Sequence, residues 1–325
     1  MPAVTATAPG KMILAGEHAV VYGQPAIAFP IPEIRARVII EPGIKQAPGS
    51  VYFEAPEINF SGSSDSLTQD HAFNRILQLF QEHFHISQIP TCVIKISSTI
   101  PIASGLGSGA AVSAAMFRAL AGFNGKRISD QEVSDLTFEI EKIFHGNPSG
   151  IDNTVVSFRR PIFFIKNRLP EFLDLRKNLT FVLADTGVRS STQAAVAGVR
   201  ERWEKSQENF NLLFNEIGNI VIKLKETLLN ADNSKAGNLD ENKMGNLMNQ
   251  NQEILEKMGV STSSLNTLVH LALLGHAYGA KLIGAGLGGC IAALTSPDMA
   301  EELEMKFKNS GAAWTLISTF QSGEA

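Results

Sequence analysis

The chain has 325 residues, 44% of them hydrophobic, which is ample for a core and by length suggests two domains rather than one. Charged residues make up 18% and the net charge is -4, with Lys and Arg scattered rather than clustered, which argues against nucleic acid or another polyanion as partner. Two distant cysteines, Cys92 and Cys290, make neither a disulfide framework nor a metal quartet; with no signal-peptide pattern and no apolar run long enough to cross a bilayer, a soluble, cytoplasmic protein is expected.

In chain order, the β-branched run Arg35 to Ile40 and the alternating Cys92 to Ser97 read as strands. Between them, Phe73, Ile76, Leu77, Phe80 and Phe84 recur at helical spacing within His71 to His85. The small-residue run Ser108 to Leu120 reads as a helix, and Ser129 caps another through Ile143 with Asp130 and Glu132 in its first turn. Pro161 to Ile165 and Leu179 to Ala184 look like strands. Helical patterns then cover Thr192 to Asn230 and Lys243 to Met258, with a third capped by Ser261 or Thr262 and ending near Tyr278. Lys281 to Ile283, Cys290 to Leu294 and Trp314 to Ser318 read as short strands, with a helix over Pro297 to Asn309. Ala231 to Asn242 is the most loop-like stretch. Strands and helices mix without strict alternation, so the fold class is α+β.

Four stretches carry chemistry. The first is Ala8-Pro9-Gly10-Lys11 with Gly16-Glu17-His18-Ala19-Val20. A Lys, a Glu and a His within eight positions of an apolar stretch suggest a polar pocket, although each alone reads as a surface or satisfied residue. The second is Pro101 to Ala111, where Gly105, Gly107 and Gly109 with Ser104 and Ser108 precede a helix. Glycine lets backbone approach a ligand, and the helix start offers free N–H groups, so a phosphate site competes evenly with a tight packing turn. It is neither a Walker loop nor a dinucleotide fingerprint. The third is His145 to Asn153, with Glu141 four residues before His145 on one helix face and Asp152 just beyond the loop. It is either an ordinary pair and turn, or one carboxylate for Mg²⁺ and another for proton transfer. The fourth is Gly284-Ala285-Gly286-Leu287-Gly288-Gly289. Alone it reads as a turn; its functional version is a backbone packed against substrate or the phosphate loop.

These stretches recur together, in this order, in the GHMP kinases, which the chain resembles almost end to end, weakly between residues 41 and 90. The run Ala8 to Gly23 is more similar to the mevalonate-phosphorylating members than to those acting on phosphomevalonate or galactose. Asp185 to Thr192, Val196 to Arg200 and Met248 to Gln252 with Leu255 and Gly259 add to the resemblance. It implies the GHMP kinase fold: an N-terminal mixed sheet-and-helix ATP-binding domain over 1–180 and a C-terminal ferredoxin-like α/β sandwich over 181–325. It implies ATP-dependent phosphorylation of mevalonate to 5-phosphomevalonate in isoprenoid precursor synthesis, with ATP and Mg²⁺, and a homodimer as the assembly to test.

By the same resemblance, Asp152 is the catalytic acid and Lys11 its paired lysine. Pro101, Ala103, Ser104, Gly105, Leu106, Gly107, Ser108, Gly109 and Ala110 form the ATP phosphate loop. Glu141 is the Mg²⁺ carboxylate, with Ser108 as second ligand. His18, Thr192 and Ala285 line the substrate pocket, with Glu17 and His145 beside them. Two departures stand out. Gly109 replaces a serine that usually binds Mg²⁺, and Ser190, next to Arg189, replaces an arginine that animal members carry two residues before the threonine. Lys11 would hold Asp152 ionised or act on the transferring phosphoryl oxygens. A phosphorylated substrate would want a Lys/Arg cluster, which the motifs lack beyond Lys11 and Arg189. A catalytically silent regulator should have lost Asp152, Lys11 or Glu141, and all three are present.

Overall fold

The computed structural model describes residues 2–43, 47–145, 148–175, 177–229 and 240–321, without the side chains of residues 144 and 145. The chain forms two compact units interleaved in sequence: Met1–Lys11, Pro30–Ile102 and Gly107–Arg159 in one, Met12–Phe29, Ala103–Leu106 and Arg160–Ala325 in the other.

The first unit is built on long strands that the sequence pattern only half reveals. Strand β1 (Val4–Ala15) is buried from Ala8 onward. Strand β2 (Ala26–Pro42) starts nine residues before the expected Arg35. Its first six residues are all buried, so they lack the polar alternation that marks a half-exposed strand, and Pro30 and Pro32 disguise them further. Strands β3 (Val51–Ala55) and β4 (Phe60–Ser63) follow. Helix α1 (Ala72–Phe84) buries Phe73, Ile76, Leu77 and Phe80, as their spacing predicts. Strand β5 (Cys92–Ser98) runs parallel to β3 and antiparallel to β2 from Ala36↔Ser98 to Pro42↔Cys92. Helix α2 (Ser108–Phe123) is buried nearly all round, which its alanines permit. Helix α3 (Asp130–His145) opens on a capping box: the Ser129 hydroxyl accepts from Glu132 N at 3.2 Å and Glu132 accepts from Ser129 N at 2.8 Å. Helix α4 (Ile151–Phe158) was not expected from sequence.

In the second unit the start of β2 pairs with β6 (Ile162–Phe164), and β6 with β7 (Glu171–Phe172). Strand β8 (Leu179–Asp185) is central to an antiparallel sheet. The expected helical run splits at Ser206 into α5 (Thr192–Lys205) and α6 (Gln207–Leu229). Helix α7 (Glu241–Lys257) is capped by Asp240, whose side chain accepts from Lys243 N, so the last two residues of the expected loop Ala231 to Asn242 are helical; residues 230–239 lie outside the described residues. Helix α8 (Ser263–Leu274) is capped by Thr262 and stops short of Tyr278, because Gly275 ends it and Tyr278 N bonds to Leu294 O. Strands β9 (Gly279–Leu282) and β10 (Cys290–Thr295), helix α9 (Pro297–Asn309) and β11 (Trp314–Phe320) complete the order β11-β8-β10-β9. Among the described residues no helix is long and apolar enough to cross a membrane.

Candidate active site

In the first unit, Lys11 lies in the buried part of β1 and is 2% exposed. A buried ammonium needs an anionic partner. It has one in Asp152, whose Oδ1 is 3.0 Å from Lys11 Nζ and whose side chain is 26% exposed. Asp152 stands in the first turn of α4 rather than in a loop. Gly150 in the left-handed region (φ 94) begins that helix. Asn153 ties it to α3 by donating to the Ser134 hydroxyl at 2.9 Å and carbonyl at 3.2 Å. Glu141, near the end of α3, is 3% exposed. His145 closes α3, but its side chain and residues Gly146 and Asn147 lie outside the described residues.

The expected phosphate loop is irregular, with Ala103, Gly105 and Gly107 at φ 57, 82 and 75, and with Ser104, Leu106 and Ala110 turned inward. Gly107 is the N-cap of α2 and supplies no side-chain cap, so the first-turn N–H groups face whatever lies at that helix start. A Cβ at Gly107 would stand 2.8 Å from Lys11 Cγ, so the lysine stem runs directly against the loop. Ser108 heads the helix, with Gly109 exposed behind it.

The other half of this loop, Ala103–Leu106, belongs to the second unit and packs backbone against backbone on the fourth motif. A Cβ at Gly284 would meet Gly105 Cα at 2.8 Å, and one at Gly289 would meet Ser104 O at 2.8 Å. Of the two readings of that glycine run, the geometry matches a backbone packed against the loop that carries Ser104 and Gly105. The run's other contacts include Gly289 N to Val188 O at 2.9 Å, Leu287 N to Val260 O at 2.7 Å, and the Ser190 hydroxyl donating to Gly286 O at 2.8 Å.

The same unit holds Glu17 and His18. His18 Nε2 lies 2.9 Å from Ala285 O. Burial pushes the imidazole down to about 4; the bond to Ala285 opposes this, while Arg202 and Lys281 add to it. A carbonyl only accepts, so Nε2 carries the proton and Nδ1 is left as an acceptor. Glu17 is 1% exposed and makes an ion pair with Lys281, which is 0% exposed. Asn251 donates to the second Glu17 oxygen at 3.4 Å. Thr192, the half-buried first residue of α5, sits at a helix start capped by Ser191. Arg189 is engaged with buried Asp185, Nη1 to Oδ2 at 3.1 Å, and so does not simply replace the arginine missing at Ser190. Lys281 and Asn251 were missed in the sequence. A lysine between Ala280 and Leu282 in an apolar strand was the available signal.

Residues 71–160 match the family described as GHMP kinases N terminal domain, and residues 233–313 match GHMP kinases C terminal. The chain is 35% identical to mevalonate kinase of Pyrococcus furiosus, with 98% of this chain and 97% of that one covered. It is 34% identical to mevalonate kinase of Thermococcus sibiricus, over 95% and 93% respectively. A crystal structure of L. major mevalonate kinase in complex with R-mevalonate superposes with a TM-score of 0.81 at 27% identity, covering 99% of this chain and 97% of that one.

Proposed function

Because the chain belongs to the GHMP kinases, and within them to the mevalonate kinases, we propose that it transfers the γ-phosphoryl group of ATP to the primary hydroxyl of mevalonate. The observation that carries this reading is the pairing of Lys11 with Asp152 directly against Gly107 at the uncapped start of α2. A positively polarised helix start for phosphate and a partly exposed carboxylate meet on one lysine.

Phosphoryl transfer needs in-line positioning and charge neutralisation more than covalent help. Asp152 takes the proton from the substrate hydroxyl as that oxygen bonds to the γ-phosphorus and the bond to the bridging oxygen breaks, releasing ADP. Lys11 holds Asp152 in place. The free N–H groups of α2 take the phosphate oxygens. We assign recognition of mevalonate to His18, Thr192 and Ala285, with Glu17 and His145 beside them, and binding of ATP to Pro101 and residues 103–110. The buried Glu141 carboxylate and the Ser108 hydroxyl are hard oxygen donors that suit Mg²⁺ and would hold it together with phosphate and water oxygens. When bound, the ion would neutralise charge on the β- and γ-phosphates. In this reading 1–180 is the ATP-binding half and 181–325 the C-terminal half. A cytoplasmic location and a homodimer go with it, checked by fractionation and sedimentation velocity.

The test is ADP release with mevalonate, phosphomevalonate, galactose and homoserine as alternative acceptors. Turnover of mevalonate is expected. Turnover of phosphomevalonate without mevalonate would overturn the substrate assignment.

A further inference from the structure

His18 occupies a backbone conformation that side-chain-bearing residues rarely adopt, φ 60 and ψ -51. Ala19 N bonds to Glu17 O across it at 2.6 Å, which makes the three residues a γ-turn of the rare, strained hand. Such a conformation persists only where its surroundings over-determine it. Two anchors do so here. At the turn's centre, the His18 ring is tied to Ala285 O. Before it, the Glu17 carboxylate is held by Lys281 on one oxygen and Asn251 on the other. Lys281 also donates to Leu282 O at 2.6 Å, so its ammonium is fixed at both ends. Both anchors come from one segment, Lys281 and Ala285 being four residues apart. That segment continues into the glycine run that seats Ser104 and Gly105.

A sealed ion pair is a poor device for stability alone, because desolvation offsets the attraction and well-packed apolar residues often do as well. We propose that Lys281 is a positioning residue: by gripping Glu17 it holds the γ-turn that sets the His18 ring for substrate. This rests on the reading of His18 as a mevalonate contact. Lys281 touches no substrate atom in this scheme and acts only through Glu17.

The experiment compares Lys281→Met, Glu17→Gln and the double variant by thermal melting, by steady-state kinetics with each substrate varied, and by ¹⁵N spectra of the His18 ring. Each single variant leaves a buried group without its partner and melts lower. The double variant removes both charges and recovers most of the melting temperature. The expected result is that the recovered double variant keeps a KM for mevalonate raised at least about tenfold, about 1.4 kcal/mol, with the KM for ATP changed less than about threefold. Its His18 signals lose the single Nε2–H tautomer pattern expected of the parent. Recovery of KM together with stability would overturn the proposal, as would an unchanged His18 tautomer in the double variant or in either single variant. A parent protein that ignores mevalonate would sink the substrate reading instead, and the ¹⁵N spectra would still judge Lys281.

Discussion

Gly107→Ala tests whether the phosphate loop sets the position of the lysine. Gly107 sits at φ 75, and a Cβ there would lie 2.8 Å from Lys11 Cγ and 3.2 Å from Cε. Left-handed backbone costs an alanine about 1–2 kcal/mol. Carbon atoms settle at roughly 3.5–4.0 Å, so the lysine stem must retreat by about 1 Å. Lys11 is 2% exposed, and β1 around it is packed, so the movement passes along the side chain toward Nζ. Its 3.0 Å contact with Asp152 then stretches beyond hydrogen-bond range. A misplacement of about 1 Å at a reacting group is worth on the order of 10²-fold in rate. Gly125→Ala is the control: it has φ 66 and nothing within 4 Å of its Cβ position, so it bears the backbone cost alone. Initial rates with mevalonate and Mg-ATP, beside thermal melts, should show both variants melting a few degrees low and only Gly107→Ala losing about 10²-fold in kcat. If the two variants lose stability equally and Gly107→Ala keeps its kcat, the loop does not hold Lys11 where the chemistry needs it.

Asp152→Asn keeps the shape and removes the base, and should cut kcat by about 10²–10⁴-fold while ATP binding, read by fluorescent-nucleotide titration, persists. Glu141→Gln should raise the Mg²⁺ concentration needed for half-maximal rate at saturating ATP, whereas Gly109→Ser, at an exposed helix position, should be tolerated with an equal or lower requirement; an unmoved Mg²⁺ curve for Glu141→Gln removes that residue from the metal site. His18 is held neutral down to about 4 against an ordinary value of 6.5, so between those pH values the unfolded chain binds the extra proton and the folded state loses up to about 3 kcal/mol as pH falls. His18→Gln should therefore flatten the acid-side fall in melting temperature between pH 6.5 and 4, and an unchanged slope would mean that the imidazole is not buried as neutral.

Local signals were legible where one rule acted alone. The α1 spacing, the Ser129 cap with Glu132, and the Pro297 start of α9 each report a helix from within the helix itself. Signals failed where burial on both sides erased the pattern, as in Ala26–Ile31, and where a glycine hid a helix start, as Gly150 does for α4. The site divides the same way. Lys11, Asp152 and the glycines between Pro101 and Ala111 stood out as residue types in runs that did not need them. The packing of Gly284 and Gly289 stayed level with an ordinary turn, because what decides it is the absence of a Cβ beside Ser104 and Gly105, nearly two hundred positions earlier in the chain. Lys281 was passed over because a single lysine in a four-residue strand looks like an exposed alternation until the whole strand proves buried.

The two sealed lysines separate chemistry from positioning by one measure, the exposure of the partner. Lys11 and Lys281 both lie in fully buried stretches of strand, and each makes an ion pair with a carboxylate. The partner of Lys11 is 26% exposed, whereas the partner of Lys281 is 1% exposed. A general base must come within hydrogen-bond reach of the proton it removes, so only a carboxylate with an open edge qualifies. Asp152 has that edge. Glu17 does not: both of its oxygens are engaged, by Lys281 and Asn251, and no substrate hydroxyl can reach them without unseating the turn that carries His18. In the proposed scheme the same pairing therefore serves proton transfer where it opens to the surface and geometry where it is closed. Exchanging the two carboxylate types, Asp152→Glu and Glu17→Asp, should damage kcat in the first case and KM for mevalonate in the second.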